Sequence, residues 1–236
     1  MTKFLRLFKN FFYSILIFLN ELLYKPQIYR LETDKFYGIN KKVIFVDQLG
    51  SPNLNLVTDN YGTINDRKAA KRFGTSNIKE YSYWSWRSCA VANVLMILKT
   101  EEVYDGTLYD LVKQIRDKGG YLAQDRWGNK DVGWKHQFLV NILRLYELKA
   151  SLIKRVSISH LMRILTLSHY VIASVKSRVQ KEGTHMILVT GFTKTEDKVI
   201  LYYYDPMNID KKGGKQKISS KDFLKIFLNK GIVIQG

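Results

Sequence analysis

The chain has 236 residues, of which 46% are hydrophobic and 13% aromatic. This composition is sufficient for a buried hydrophobic core and argues against a disordered protein. Lys and Arg outnumber Asp and Glu by 38 to 21, and the resulting charge of +17 favours anionic partners, although no nucleic-acid-binding motif accompanies it and we expect no specific nucleic-acid partner. One cysteine excludes an intrachain disulfide and a thiolate metal cluster, and the four histidines show no metal-ligand spacing.

The first predicted element is an amphipathic helix over residues 3–24. Its apolar stretch is shorter than the ~20 residues that a membrane-spanning helix needs. Basic residues before a short apolar stretch also resemble a secretory signal, although no small-x-small cleavage site follows. Residues 1–25 therefore have three interpretations: a helix or uncleaved anchor at an anionic membrane surface, a removed signal, or a helix packed on the domain. Pro26 is expected to end this helix. Its polar side carries Lys3, Arg6, Asn10, Ser14 and Glu21, opposite Phe4, Phe8, Phe11, Ile15, Phe18 and Leu22.

Residues 26–79 carry weaker signals. A β-branched run predicts a strand at 43–46, and a Gly-Ser-Pro-Asn sequence predicts a turn at 50–53. A short capped helix is expected at 65–74, closed by glycine. We interpret residues 26–79 as an entry region that leads into a domain over residues 80–236.

The only cysteine, Cys89, is predicted to begin a buried helix. An aromatic, polar loop ends at Ser88, a favoured helix N-cap, and the following residues are apolar without Gly or Pro. Free backbone N–H groups and the positive end of the helix dipole favour a nucleophilic thiolate in the first turn. The alternative is a buried cysteine that acts only as a small hydrophobic residue.

The rest of the chain changes from helices to strands, which predicts an α+β fold. Helices are expected at 107–115, 134–147 and 157–167, with Ser157 as a cap and a polar loop at 125–133. Strands are expected at 170–175, 185–192, 198–204 and 232–234, with a capped segment at 220–229.

His185 and Asp205 are the candidate base and orienting group. The two strands that flank residues 194–197 read as a hairpin, and a centre near Thr195 sets His185 opposite Asp205. An imidazole can take the proton of a thiol, and a carboxylate can hold the ring by its second nitrogen. The alternatives are an exposed histidine at a strand end and an ordinary turn carboxylate before Pro206. His136, His160 and His169 have no neighbour predicted by local geometry.

Three segments together resemble the C39-type branch of papain-like cysteine peptidases. Residues 88–98, SCAVANVLMIL, resemble the nucleophile helix of that family, in which Cys-Gly-x-Ala is usual. Residues 183–192, GTHMILVTGF, resemble its histidine strand, and Tyr204-Asp205-Pro206 its closing Asp-Pro. The resemblance covers roughly residues 80–235.

This resemblance implies a papain-like fold in which the nucleophile helix packs on a C-terminal antiparallel sheet. It also implies a bacterial peptidase that acts through a thioester, with Cys89 as nucleophile, His185 as base and acid, and Asp205 as orienting group. Ala90 replaces the usual glycine, a mild change because alanine suits a helix better. Tyr83 stands where these enzymes have an oxyanion glutamine. Its hydroxyl is a candidate donor to the oxyanion, and the alternative is that Tyr83 only packs in an aromatic loop with Trp84 and Trp86. Gln48 is too distant in sequence to be placed locally.

The implied partner is a peptide or protein substrate, and no metal or organic cofactor is needed. The location implied is the cytoplasm or a membrane surface of a bacterium, with secretion left open. Two other functions fit the same residues. A transglutaminase-like enzyme would transfer the acyl group to an amine, and an inactive module of the same fold would only bind peptides.

Overall fold

A computed structural model describes residues 2–57, 62–124, 130–177, 183–208 and 213–236. The helices are α1 (Thr2–Tyr29), α2 (Arg67–Phe73), α3 (Ile78–Ser85), α4 (Cys89–Thr100), α5 (Leu108–Asp117), α6 (His136–Leu145), α7 (Ile158–Leu165) and α8 (Ser220–Ile226). The strands are β1 (Phe36–Gly38), β2 (Tyr121–Gln124), β3 (Lys130–Trp134), β4 (Ala150–Lys154), β5 (His169–Lys176), β6 (Thr184–Lys194), β7 (Val199–Tyr204), β8 (Gln216–Ser219) and β9 (Phe227–Gln235).

One antiparallel sheet forms the centre of the molecule. Its strand order is β4-β9-β5-β6-β7-β8, and β1 pairs with the far end of β6. Strands β2 and β3 form a separate hairpin. Helix α4 packs against β5 and β6. The predicted α+β class, with the cysteine helix on a C-terminal antiparallel sheet, is confirmed.

The two faces of the sheet bury two different hydrophobic clusters. Ile172, Met186 and Leu188 point to one face and join the apolar side chains of α4. Their neighbours Ile187 and Val189 point to the other face and join those of α7. This alternation is the period of two that a strand imposes on its side chains. The cysteine helix and α7 therefore lie on opposite sides of the sheet.

The prediction that Pro26 ends the first helix is wrong, because α1 continues to Tyr29. Burial of Ile28 in the cluster around α7 stabilises the last turn. In addition, the Lys194 ammonium donates to the carbonyls of Tyr29 at 2.6 Å and Leu31 at 2.8 Å, so the end of the helix is capped. No helix within the described part of the chain is both long and apolar enough to cross a membrane.

The predicted strand at residues 43–46 is also wrong. Val43 is buried, but the Ile44 N–H donates to the Thr100 hydroxyl at 2.9 Å rather than to a neighbouring strand. The helix predicted at 134–147 begins only at His136 because Trp134 belongs to β3. Part of the loop predicted at 125–133 belongs to β3, and residues 125–129 lie outside the described residues.

Several end signals are confirmed. The Asp66 carboxylate accepts from the first turn of α2, and Gly74 ends that helix with a φ of 111°. The Ser157 hydroxyl caps α7. In the C-terminal segment the cap is Ser219 instead of Ser220, and β9 begins directly after α8.

Residues between α1 and α3 share the core of the rest of the chain. Strand β1 pairs with β6, and Leu49, Ile64 and Phe73 are buried in the cluster that contains α4. The division at residues 25 and 79 stays a prediction.

Candidate active site

Cys89 is the first residue of α4 and is partly buried. Ser88 is at the predicted N-cap position, but its side chain does not cap the helix: φ is −92° and ψ is 11°, and the hydroxyl donates back to the Trp84 carbonyl. This nearly helical backbone joins the end of α3 to α4. The first-turn N–H groups of α4 therefore receive no side-chain cap from Ser88, and they can bind a negative charge beside the sulfur.

The His185 ring and the Asp205 carboxylate meet on the sheet. Nε2 of His185 lies 2.6 Å from Oδ1 of Asp205, and the two side chains are only 8% and 14% exposed. The same Oδ1 accepts the Met207 N–H at 3.0 Å, which fixes the carboxylate. A hydrogen bond this short in a site that is nearly closed to water is charge-assisted.

The predicted pairing register is wrong, although the predicted contact forms. Lys194 pairs with Val199, so the hairpin is centred between residues 196 and 197, and the register shifts by one between Val189 and Gly191. Strand β7 ends at Tyr204, one residue before Asp205. If the pairing of β7 with β6 continued by that one residue, Asp205 would lie diagonally across from His185. Long side chains on diagonal positions can still reach one another.

Cys89 completes the cluster, because its sulfur lies close enough to the His185 ring to affect the pKa of that ring. Burial alone would lower the pKa of His185. The charge interaction with Cys89 and the hydrogen bond to Asp205 outweigh burial, so the pKa of His185 lies well above its ordinary value. Because Nε2 is bonded to the carboxylate, Nδ1 is the ring nitrogen left to accept a proton from the sulfur.

Asn93 is a site residue that the sequence analysis missed. It is fully buried one turn after Cys89, and its Nδ2 donates to the carbonyls of Cys89 and Met186, both at 2.8 Å. Met186 follows His185 on β6, so this amide ties the nucleophile helix to the histidine strand. The sequence did offer one indication of this residue, because Asn93 is the lone amide in an otherwise apolar helix.

Gln48 is distant in sequence from the cysteine, yet it contacts the segment that precedes Cys89. Its side chain is fully buried, and Nε2 donates to the carbonyls of Ser85 at 2.9 Å and Trp86 at 3.3 Å. Its backbone N–H donates to the Pro206 carbonyl at 2.8 Å. Gln48 thus links the turn after Asp205 to the loop before the cysteine.

The Tyr83 hydroxyl donates to the Asp131 carboxylate at 3.2 Å. Arg87 lies over the Tyr83 ring, 4.0 Å from its centroid, and pairs with the same carboxylate at 2.7 Å. The hydrogen bond from Arg87 lowers the pKa of Asp131, which therefore stays ionised. Tyr121 also donates to Asp131, at 3.0 Å. This cluster joins the β2–β3 hairpin to α3 and the turn before the cysteine. The prediction of an aromatic, polar loop before Ser88 is therefore wrong, because α3 occupies that segment as far as Ser85.

The arrangement can perform covalent chemistry on a carbonyl group. It holds a thiol, an imidazole beside it, a carboxylate on one nitrogen of that ring and backbone N–H groups at the start of α4. In the described part of the chain, no three His, Cys, Asp or Glu side chains are grouped as ligands of a metal ion.

The Peptidase_C39 like family matches residues 75–233 of the chain. Among solved structures, a double glycine motif protease from an AMS/PCAT transporter, in complex with the leader peptide, is 16% identical with a TM-score of 0.42, over 64% of this chain and 86% of that one. The peptidase domain of Streptococcus ComA, a bi-functional ABC transporter involved in a quorum sensing pathway, is 15% identical with a TM-score of 0.45, over 64% and 93%. Comparison with curated proteins gives no match.

Proposed function

Because the chain belongs to the Peptidase_C39 like family, we propose that it is a cysteine peptidase that cleaves peptide bonds with Cys89, His185 and Asp205. The observation that carries this proposal is the buried 2.6 Å contact between His185 and Asp205 next to the only cysteine. Free cysteines in apolar cores are common, but an imidazole and a carboxylate ordered behind one are what a thiol nucleophile requires.

The reaction begins when the His185 imidazole takes the proton of the Cys89 thiol. The sulfur attacks the peptide carbonyl carbon, and the carbonyl electron pair moves to oxygen. When this intermediate collapses, the C–N bond breaks, and the imidazolium gives its proton to the leaving amine. A thioester remains on Cys89. Water then attacks it with His185 as base, and the carboxylic acid and the free thiol are released.

Asp205 keeps the ring in the tautomer that presents Nδ1 to the sulfur. Its charge also stabilises the imidazolium that forms in each half of the reaction. The short contact and the low exposure of both side chains support this role, because an ion pair that water does not screen retains its strength.

The backbone N–H of Cys89 is the oxyanion donor that the geometry supports best. It lies at the start of α4, where Ser88 provides no side-chain cap. Tyr83 as a second donor stays a prediction, because its hydroxyl would have to leave Asp131 to reach the substrate.

The substrate class is a peptide or an unfolded segment of a protein. We test the proposal by incubating the full chain with a peptide library and identifying cleavage by mass spectrometry. Cleavage should disappear in Cys89→Ala and fall at least ~100-fold in His185→Asn, since general-base catalysis contributes about that much. The matched control is His169→Asn at the partly exposed start of β5, which should cleave normally.

The single cysteine makes a second measurement possible without a substrate. Iodoacetamide can label only Cys89, and the labelling rate should exceed that of a free thiol near neutral pH. A rate equal to that of a free thiol, together with peptide binding but no cleavage, would favour the inactive binding module. Products joined to added amines instead of water would favour the transglutaminase-like enzyme.

A further inference from the structure

Helix α1 is attached to the domain by its polar side. The Asn20 amide donates to the Arg155 carbonyl at 3.1 Å. The Glu21 carboxylate accepts from the N–H of Ser159 at 3.1 Å and from its hydroxyl at 2.8 Å. These contacts are made with the start of α7 and the residues just before it. At Asn20 and Glu21 the polar side of the helix is therefore in contact with protein.

Aromatic and apolar contacts on the same side fix the orientation of the helix. The Tyr24 ring stacks on His160 with 4.3 Å between centroids, and the Arg155 guanidinium lies 4.3 Å from the Tyr13 centroid. Near the end of the helix, Ile28 is only 5% exposed. Contacts over this length prevent the helix from rolling about its axis.

The opposite side of α1, which we call the outer face, is apolar and exposed. Its large side chains are 37% to 65% exposed. At 3.6 residues per turn they fall within an arc of about 100°. Continuous apolar surface of this kind marks an interaction site. The outer face consists of Phe8, Phe11, Ile15, Phe18, Leu19 and Leu22.

The charges of α1 identify the chemistry of the partner. Glu21 is its only carboxylate, and it is bonded to Ser159. All other charged residues of the helix are basic: Lys3, Arg6, Lys9 and Lys25. The chain as a whole carries +17. A partner that fits is apolar where it meets the outer face and carries negative charge that attracts the basic residues of the helix.

We propose that α1 lies in the plane of an anionic lipid surface with its outer face among the acyl chains. The helix is not long and apolar enough to cross the bilayer, and apolar residues beside basic ones are typical of helices that lie in the interface. A second copy of the chain fits less well. Two outer faces packed together would bring basic helix ends near one another without a free carboxylate between them.

The position of α1 also sets the orientation of the bound protein. The helix packs on α7, and α7 lies on the face of the sheet opposite α4. Cys89 is therefore separated from the lipid by the full thickness of the sheet. The nucleophile stays open to substrates that arrive from the aqueous side.

Vesicle flotation with the full chain tests this proposal, independently of any peptidase activity. The chain should float with equimolar phosphatidylglycerol and phosphatidylcholine, and about tenfold less with phosphatidylcholine alone. The double variant Phe18→Ser/Leu22→Ser should lower binding at least about tenfold, since it removes two large apolar side chains. The matched control is Leu145→Ser/Leu224→Ser, whose side chains are 55% and 48% exposed elsewhere on the surface. It should float as the unmodified chain does.

Circular dichroism of each variant verifies folding, and all four substitutions are at exposed positions. The proposal is overturned if the unmodified chain does not float, if it floats equally with neutral vesicles, or if the control loses as much binding as the α1 variant. A dimer in gel filtration that Phe18→Ser/Leu22→Ser abolishes, with no flotation of the unmodified chain, would assign the outer face to a second copy instead.

Discussion

Replacing Asp205 by asparagine removes one negative charge from the cluster and keeps the size of the side chain. The substitution takes away a hydrogen bond between two charged groups, 2.6 Å long, whose side chains are 8% and 14% exposed. Such a bond contributes ~1.5–3 kcal/mol, and solvent screening reduces it little at this burial. If the bond stabilises the transition state by this much more than it stabilises the free enzyme, its loss lowers kcat/KM about 10- to 150-fold.

The same substitution should move the alkaline limit of activity. The Asp205 charge favours protonated His185, so its removal lowers the pKa of that imidazole. The imidazolium must be present to protonate the leaving amine, and it is lost as the pH rises through this pKa. The alkaline limb of the kcat/KM profile should therefore shift to lower pH, by about 1–2 units for ~1.5–3 kcal/mol.

The assay is the pH profile of kcat/KM on the best peptide from the library. The matched control is Asp222→Asn on α8, where the carboxylate is 56% exposed and pairs with Lys225. That profile should coincide with the profile of the unmodified chain. An Asp205→Asn profile with an unchanged alkaline limb, or a loss below about threefold, would refute the role given to the carboxylate.

Three further predictions concern positions around the site. Asn93→Leu removes the side-chain hydrogen bonds to two carbonyls and should lower the free energy of unfolding in urea by ~2–4 kcal/mol. Slower alkylation of Cys89 at neutral pH would show that the sulfur has moved. Tyr83→Phe should change kcat less than about tenfold because the hydroxyl is bonded to Asp131, whereas a loss of ~10²–10³ would support it as an oxyanion donor. Gly191→Ala should lower the free energy of thermal unfolding by ~1–3 kcal/mol, because a Cβ at this position would lie 2.6 Å from the carbonyl oxygen of Tyr37. An unchanged stability would contradict the close approach of β1 to β6.

The elements that were predictable depend on local chemistry. The ends of α2 and α7 follow from the capping residues Asp66, Gly74 and Ser157, whose side chains or backbones act within one turn. The hairpin of β6 and β7 follows from two β-branched runs around a polar turn. Local rules suffice where the partner of a residue is a few positions away.

The site itself was predictable only in outline. Cys89, His185 and Asp205 were chosen as candidates from the sequence, and they lie together in the structure. The register between His185 and Asp205 was not predicted, because the irregularity near Gly191 arises where β1 approaches β6. No pattern near Gln48 indicates that its amide bonds the carbonyls of residues 85 and 86. Contacts of this kind are decided by how distant segments pack together.

The continuation of α1 past Pro26 has the same cause. A proline removes one helical hydrogen bond, and the local expectation is that the helix stops. Burial of Ile28 and the two bonds from Lys194 to the carbonyls at the helix end offset that loss. A tertiary contact can thus override a strong local signal.

The pairing of β1 with β6 affects how the protein should be produced. The family match begins at residue 75, but Phe36–Gly38 hydrogen-bonds to β6, and Tyr37 stacks on Phe192 at 5.3 Å between ring centroids. A fragment trimmed to the family boundary would lack this strand and leave main-chain groups of β6 unpaired. Exposed edges of that type recruit other chains, so such a fragment should aggregate on expression, whereas one starting before Phe36 retains the strand.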